Sequence, residues 1–98
     1  MFQILINYPE NKISASTVGT IHELRVCCDL LLKGYEVFKS VSPDTSCDFT
    51  ILKDKKLILL EVTTGYKNRI GKIKHSKKDR SKFDILAIVL KNEIIYEP

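Results

Sequence analysis

The sequence has no long apolar run, which bears first on where the protein can reside. Its apolar runs, such as residues 57–60 followed by Val62, have the length of strands, whereas a membrane-spanning helix needs ~20 apolar residues. The N-terminus has neither the basic region nor the small-residue cleavage site of a secretory signal. We therefore expect a cytoplasmic protein that has no membrane partner.

Cysteine and histidine are also scarce. The 3 cysteines are an odd number, and Cys27 and Cys28 are adjacent instead of having the C-x-x-C spacing of a zinc or redox site. The 2 histidines, His22 and His75, lie far apart, so a His/Cys zinc site would need ligands scattered along the chain. The composition therefore favours reduced, partly buried thiols over a disulfide framework or a zinc centre.

A long helix is the clearest element that the pattern indicates. Apolar residues recur at spacings of three and four from Val18 to Leu31, and Gly34 then supplies a left-handed stop. The buried face of this helix would consist of Val18, Ile21, Leu24, Cys27, Cys28 and Leu31. The opposite face would carry His22, Arg25, Asp29 and Lys33.

Much of the rest of the chain has the β-branched, aromatic and alternating composition of strands. We predict strands at residues 1–7, 35–41, 48–52, 57–63, 83–90 and 94–96, with a turn at 8–11. The polar connection 53–56 joins two of them into a hairpin, and the apolar run 58–60 indicates a strand at the centre of the sheet. The chain is therefore expected to form one domain, residues 1–98, with an α/β (mixed α+β) sheet and one long helix packed on it.

The hairpin places two acidic residues together. Counting outward from its turn puts Asp48 opposite Glu61 or Val62, while Glu61 and Thr63 share one face of their strand. Two carboxylates, the main-chain carbonyl of Val62 and phosphate oxygens would form a ligand set for a hard divalent ion, which could activate water. The alternative is that Asp48 merely begins a strand and Glu61 is a surface carboxylate. The sequence around Glu61 disfavours this alternative, because Glu61 follows four apolar residues and an unpaired charge there would be costly to bury.

Glu23 on the predicted helix has two possible roles. It could assist the acidic pair, or it could close a capping box with Thr20 at the start of the helix.

Basic residues are concentrated between positions 67 and 82, where Asp79 is the only acid. The basic residues are Lys67, Arg69, Lys72, Lys74, Lys77, Lys78, Arg80 and Lys82. Such a segment suits contacts with nucleic-acid phosphates, and a solvated surface is the alternative.

The order of these motifs resembles that of the PD-(D/E)XK, or restriction-endonuclease-like, nuclease superfamily, particularly its small members similar to archaeal Holliday-junction resolvases. Glu23 matches the helical glutamate, Asp48 the aspartate before an apolar strand, and residues 61–63 the E-x-K signature. The resemblance implies an αβββαβ core and hydrolysis of DNA that depends on Mg²⁺ or Mn²⁺. It also implies that Asp48 and Glu61 bind the metal and that Glu23 assists. Pro43 and Asp44 spell the literal PD, but no apolar strand follows them directly.

One residue departs from the family pattern. Thr63 stands where the catalytic lysine is expected, and its hydroxyl can hydrogen-bond water but cannot supply a positive charge. Lys67, Lys39 or a second metal ion could substitute.

Three hypotheses follow. The first is a metal-dependent DNA endonuclease, the second a catalytically impaired nuclease-fold subunit that binds nucleic acid, and the third an interaction domain without a nucleic-acid role. Exposed strand edges further predict a homodimer.

Overall fold

The computed structural model describes residues 13–42 and 44–98. Its elements are helix α1 (Ala15–Leu32) and strands β1 (Glu36–Lys39), β2 (Phe49–Lys53), β3 (Lys56–Lys67), β4 (Ile73–His75), β5 (Ile85–Val89) and β6 (Ile94–Glu97). A single 3-10 turn, Arg80–Lys82, precedes β5. The predicted strand at 1–7, the turn at 8–11 and Pro43 of the literal PD pair lie outside the described residues.

Helix α1 begins earlier than the apolar pattern predicts. The side chain of Ser14 caps it by accepting a hydrogen bond of 3.2 Å from the Thr17 amide, and Gly34, at φ +87°, ends it. The capping box with Thr20, one of the two roles considered for Glu23, does not form, because Thr20 lies inside the helix and donates to the Ser16 carbonyl. Glu23 is thus not engaged in capping.

The buried face of α1 also differs from the prediction. Val26 and Leu30 are its buried residues, whereas Ile21, Leu24 and Leu31 are 40%, 56% and 55% exposed. The physical reason is that polar residues predicted to face solvent instead hydrogen-bond the sheet and the loop after β5. These bonds are His22 to the Thr64 hydroxyl at 2.7 Å, Arg25 to the Leu90 carbonyl at 2.9 Å, and Asp29 from the Tyr96 hydroxyl at 2.5 Å.

All six strands belong to one mixed sheet. Its order is β1-β2-β3-β5-β6, with β4 paired to the far end of β3, so β3 is central as its apolar run predicted. The pairing of β3 with β5 is parallel, and the other pairs are antiparallel. Asp54 and Lys55, both at positive φ, form the two-residue turn between β2 and β3. This turn fixes the register Phe49↔Leu60.

Residues 65–82, which we call the basic arm, fold as a strand extension and its return. Strand β3 continues to Lys67 and pairs with β4 in the register Gly65↔His75. A side chain at Gly65 would collide with Ile88, so glycine permits the close approach of the arm to β5. Where the family resemblance implies a second helix, the described chain has β4 and the 3-10 turn.

The two faces of the sheet have different cores. The cluster under α1 contains Val26, Leu30, Phe49, Ile51, Leu60, Ala87 and Val89. The cluster on the opposite face contains Cys47, Phe83, Leu86, Ile88 and Leu90. Because side chains alternate along a strand, Leu60 and Val62 face α1, while Leu59, Glu61 and Thr63 face away from it. No helix among the described residues is long and apolar enough to cross a membrane.

Candidate active site

Asp48 and Glu61 meet where the hairpin opens. The ladder between β2 and β3 ends at Phe49↔Leu60, so one further step places Asp48 opposite Glu61. The Asp48 amide donates to the Leu60 carbonyl at 3.2 Å, and the Asp48 carboxylate accepts from the Val62 amide at 2.8 Å. These two bonds hold the Asp48 side chain against β3, beside Glu61.

The surroundings of the carboxylate pair disfavour ionisation of Glu61. Burial, followed by the hydrogen bond to Asp48 and the negative charge of Asp48, raises the pKa of Glu61 to about 7, while Lys78 opposes this shift. Two carboxylates that share a hydrogen bond do not both ionise readily, even with the Lys78 ammonium nearby. The site therefore favours either a proton or a cation near neutral pH.

The donor set fits a hard divalent ion. Asp48 and Glu61 supply carboxylate oxygens, and the Val62 carbonyl faces the same edge of β3 as the Val62 amide that Asp48 binds. Residues 13–42 and 44–98 contain no group of three or more His, Cys, Asp or Glu side chains that could hold a metal. A bound ion would therefore complete its coordination with water and with phosphate oxygens.

Glu23 lies at the same end of the sheet but on the side of α1. Its carboxylate pairs with the Lys39 ammonium at 3.8 Å, and Lys39 is opposite Phe49 in the sheet, next to Asp48. The structure thus brings Asp48 and Glu61 together, whereas Glu23 pairs with Lys39 on the α1 side of the sheet.

The residue at the lysine position of the family motif is enclosed. Thr63 is only 6% exposed and lies on the same face of β3 as Glu61. It borders an open cleft of about 630 Å³, whose wall also contains Lys74, His75 and Lys78.

A lysine that the sequence did not single out as a substitute for the motif lysine contacts the acidic pair of Asp48 and Glu61. The Lys78 ammonium lies 3.7 Å from the Glu61 carboxylate. The two lysines proposed from the sequence lie elsewhere, since Lys67 pairs with Glu93 at 3.3 Å and Lys39 pairs with Glu23. No motif marks Lys78, because only the return of the basic arm toward β3 determines its position.

The basic residues divide into two groups. Lys67, Lys78 and Arg80 pair with the carboxylates of Glu93, Glu61 and Glu97. The others are exposed and form no ion pair within the described chain: Arg69, Lys72, Lys74, Lys77 and Lys82. This second group offers positive charge to a polyanion without first breaking an ion pair.

The overall geometry has a counterpart among solved structures. The chain is similar to the bacterial homing endonuclease I-Ssp6803I, with a TM-score of 0.73 and 19% sequence identity. The fold is nuclease-like. The match covers 87% of this chain, which spans about 65% of the endonuclease chain. No protein-family model and no curated protein matches the sequence. The structural likeness confirms the predicted class of fold, a mixed sheet with one helix packed on it.

Proposed function

We propose that the protein is a metal-dependent endonuclease that hydrolyses phosphodiester bonds in DNA. The observation that carries this proposal is the contact between Asp48 and Glu61 where the β2–β3 hairpin opens, in a nuclease-like fold. DNA is proposed as the substrate because the structural neighbour is a homing endonuclease. Membership of the PD-(D/E)XK superfamily, with Thr63 in a variant E-x-T motif, belongs to the same proposal.

Each part of the site has a chemical task in this proposal. Asp48, Glu61 and the Val62 carbonyl hold Mg²⁺ or Mn²⁺, which supplies water activation and neutralises phosphoryl charge when bound. Glu23 has no contact with the metal in this proposal, because it pairs with Lys39 on the α1 side of the sheet. The exposed lysines and arginine of the basic arm bind backbone phosphates on either side of the scissile bond.

A second function is favoured by one residue. Because Thr63 cannot supply the positive charge of the motif lysine, the chain could be a catalytically impaired nuclease-fold subunit that binds nucleic acid. An interaction domain without a nucleic-acid role, by contrast, would show no DNA binding even at low salt.

A homodimer also remains part of the proposal. Strands β1 and β6 form the edges of the main sheet, and the outward face of α1 exposes Ile21, Leu24 and Leu31. A second copy could cover both features.

The test of the proposed function compares wild type with Glu61→Gln on plasmid, single-stranded and four-way-junction DNA in Mg²⁺ or Mn²⁺. We expect wild-type cleavage and a loss of about a thousandfold in the variant, because one metal ligand is removed. Binding measured in Ca²⁺ should change far less. Glu93→Gln is the matched control, because Glu93 pairs with Lys67 away from the site. DNA binding without cleavage by wild type would favour the impaired subunit.

A further inference from the structure

We propose that Lys78 is the catalytic lysine of this site and replaces the lysine that Thr63 displaces from the E-x-K position. This inference rests on the proposed function. The observation behind it is the distance of 3.7 Å between the Lys78 ammonium and the Glu61 carboxylate. Lys78 would contact a non-bridging oxygen of the phosphate that lies against the acidic pair.

Its enclosure distinguishes Lys78 from the other ion-paired lysines. Its side chain is 27% exposed, compared with 61% for Lys39 and 56% for Lys67. A lysine whose stem is already packed loses less conformational freedom when it contacts a substrate. Lys78 should therefore lose less side-chain entropy on binding substrate than Lys39 and Lys67, the two lysines proposed from the sequence.

The basic arm explains how a residue so distant in sequence arrives at Glu61. Asn68 tightens the turn after β3 by accepting hydrogen bonds from the amides of Ile70 and Lys72 at 3.1 and 2.9 Å. Strand β4 then runs back along β3 in the register Gly65↔His75. The chain continues in this direction beyond His75, which brings Lys78 back toward residues 61–63.

The cleft that Lys78 borders supplies the space that this role requires. Thr63 and Lys78 line the same opening of about 630 Å³, together with Lys74 and His75. Lys78 thus borders the same cleft as the residue at the lysine position of the motif. Thr63, being buried, leaves this space to Lys78.

The reaction assigned to Lys78 is hydrolysis. An oxygen of water forms a new bond to phosphorus, and the bond from phosphorus to the leaving sugar oxygen breaks. The attacking water gives one proton to solvent, and the leaving oxygen takes one up. The Lys78 ammonium keeps its proton and stabilises the charge that develops on the non-bridging oxygen.

The experiment compares Lys78→Met with Lys91→Met, which removes an equal charge from an exposed position outside the basic arm. We expect Lys78→Met to lower kcat about a hundredfold and Lys91→Met to leave it within about threefold. Calorimetric Mn²⁺ affinity of Lys78→Met should equal or exceed that of wild type, since a positive charge beside the carboxylates is lost. Thr63→Lys in the Lys78→Met background should recover cleavage to within about tenfold of wild type. Thermal unfolding checks that the variant with Thr63→Lys, a substitution at a buried position, still folds.

A readout that does not depend on turnover measures the contact itself. With DNA bound in Ca²⁺, acetic anhydride should acetylate Lys78 several-fold more slowly than in free protein, because phosphate covers its amine. Equal kcat values for the two methionine variants, or unprotected Lys78, would overturn the assignment while leaving the endonuclease proposal intact. Absence of wild-type cleavage would overturn both.

Discussion

The two faces of β3 make opposite contributions to the molecule. Leu60 and Val62 point toward α1 and pack into the cluster beneath it, with Leu60 fully buried. Glu61 and Thr63 point away from α1, where Glu61 pairs with Lys78 and Thr63 lines the cleft. Adjacent residues of one strand thus belong to the hydrophobic core and to the candidate site in strict alternation.

This contrast teaches how a small domain accommodates a charged site. Burying apolar side chains under α1 stabilises the fold, whereas holding Glu61 beside Asp48 disfavours ionisation of Glu61. The central position of β3 gives its apolar face enough packing to offset that cost. The two faces should therefore respond differently to substitution.

The largest effect is expected from the face under α1. Leu60→Ala should lower the free energy of unfolding by about 3 kcal/mol, because it leaves a cavity among Val26, Leu30 and Phe49. Leu57→Ala, on the same strand but 64% exposed, is the control and should change it by less than about 0.5 kcal/mol. Urea unfolding followed by circular dichroism measures both. Similar losses in the two variants would contradict the division of β3 into a core face and an open face.

A smaller effect, a gain in stability instead of a loss, is expected from a substitution of Glu61 on the face of β3 that points away from α1. The pKa of Glu61 is about 7 in the folded protein, above its ordinary value of 4.5, so the folded state binds the proton more tightly. Wild-type stability should therefore fall as pH rises from about 4.5 to about 7 and then level off. Glu61→Gln lacks this loss and should be more stable than wild type at pH 8 by roughly 1 kcal/mol, but not at pH 4.

The control for the pH effect is Glu93→Gln, which removes an exposed carboxylate that pairs with Lys67. Its stability difference from wild type should be small and nearly independent of pH. Mg²⁺ should raise the unfolding temperature of wild type more at pH 8 than at pH 6, because the ion competes with the proton on Glu61. A Glu61→Gln variant less stable than wild type at pH 8 would show that ionised Glu61 does not destabilise the folded protein.

The sequence predicted the hairpin better than the helix packing, for physical reasons. Turn residues and period-two alternation fix a hairpin locally, so counting from the turn placed Asp48 opposite Glu61 or Val62, and the register selects Glu61. The orientation of α1 depends on non-local bonds from His22, Arg25 and Asp29, which helical periodicity cannot reveal. More apolar residues occupy the outward face of α1 than the buried one, so the apolar pattern pointed to the wrong side.

The position of Lys78 was unpredictable for a related reason. The basic arm contains few apolar residues, and its path depends on pairing with β3 and on the close contact of Gly65 with Ile88. Nothing local indicates that Lys78, among the lysines of this segment, returns to Glu61.

The smallest effect tests how far the two faces are independent. Thr64→Val removes the hydroxyl that hydrogen-bonds His22 on the α1 side and should cost about 0.5–1 kcal/mol, since the bond is largely exposed. Thr50→Val on β2 is the matched control, because its side chain forms no hydrogen bond with the described part of the chain. Because Thr64 faces away from Glu61, DNA cleavage should stay within about twofold of wild type. A large loss of cleavage with intact stability would show that α1 positions the carboxylates through β3, and the two faces would then act as one unit.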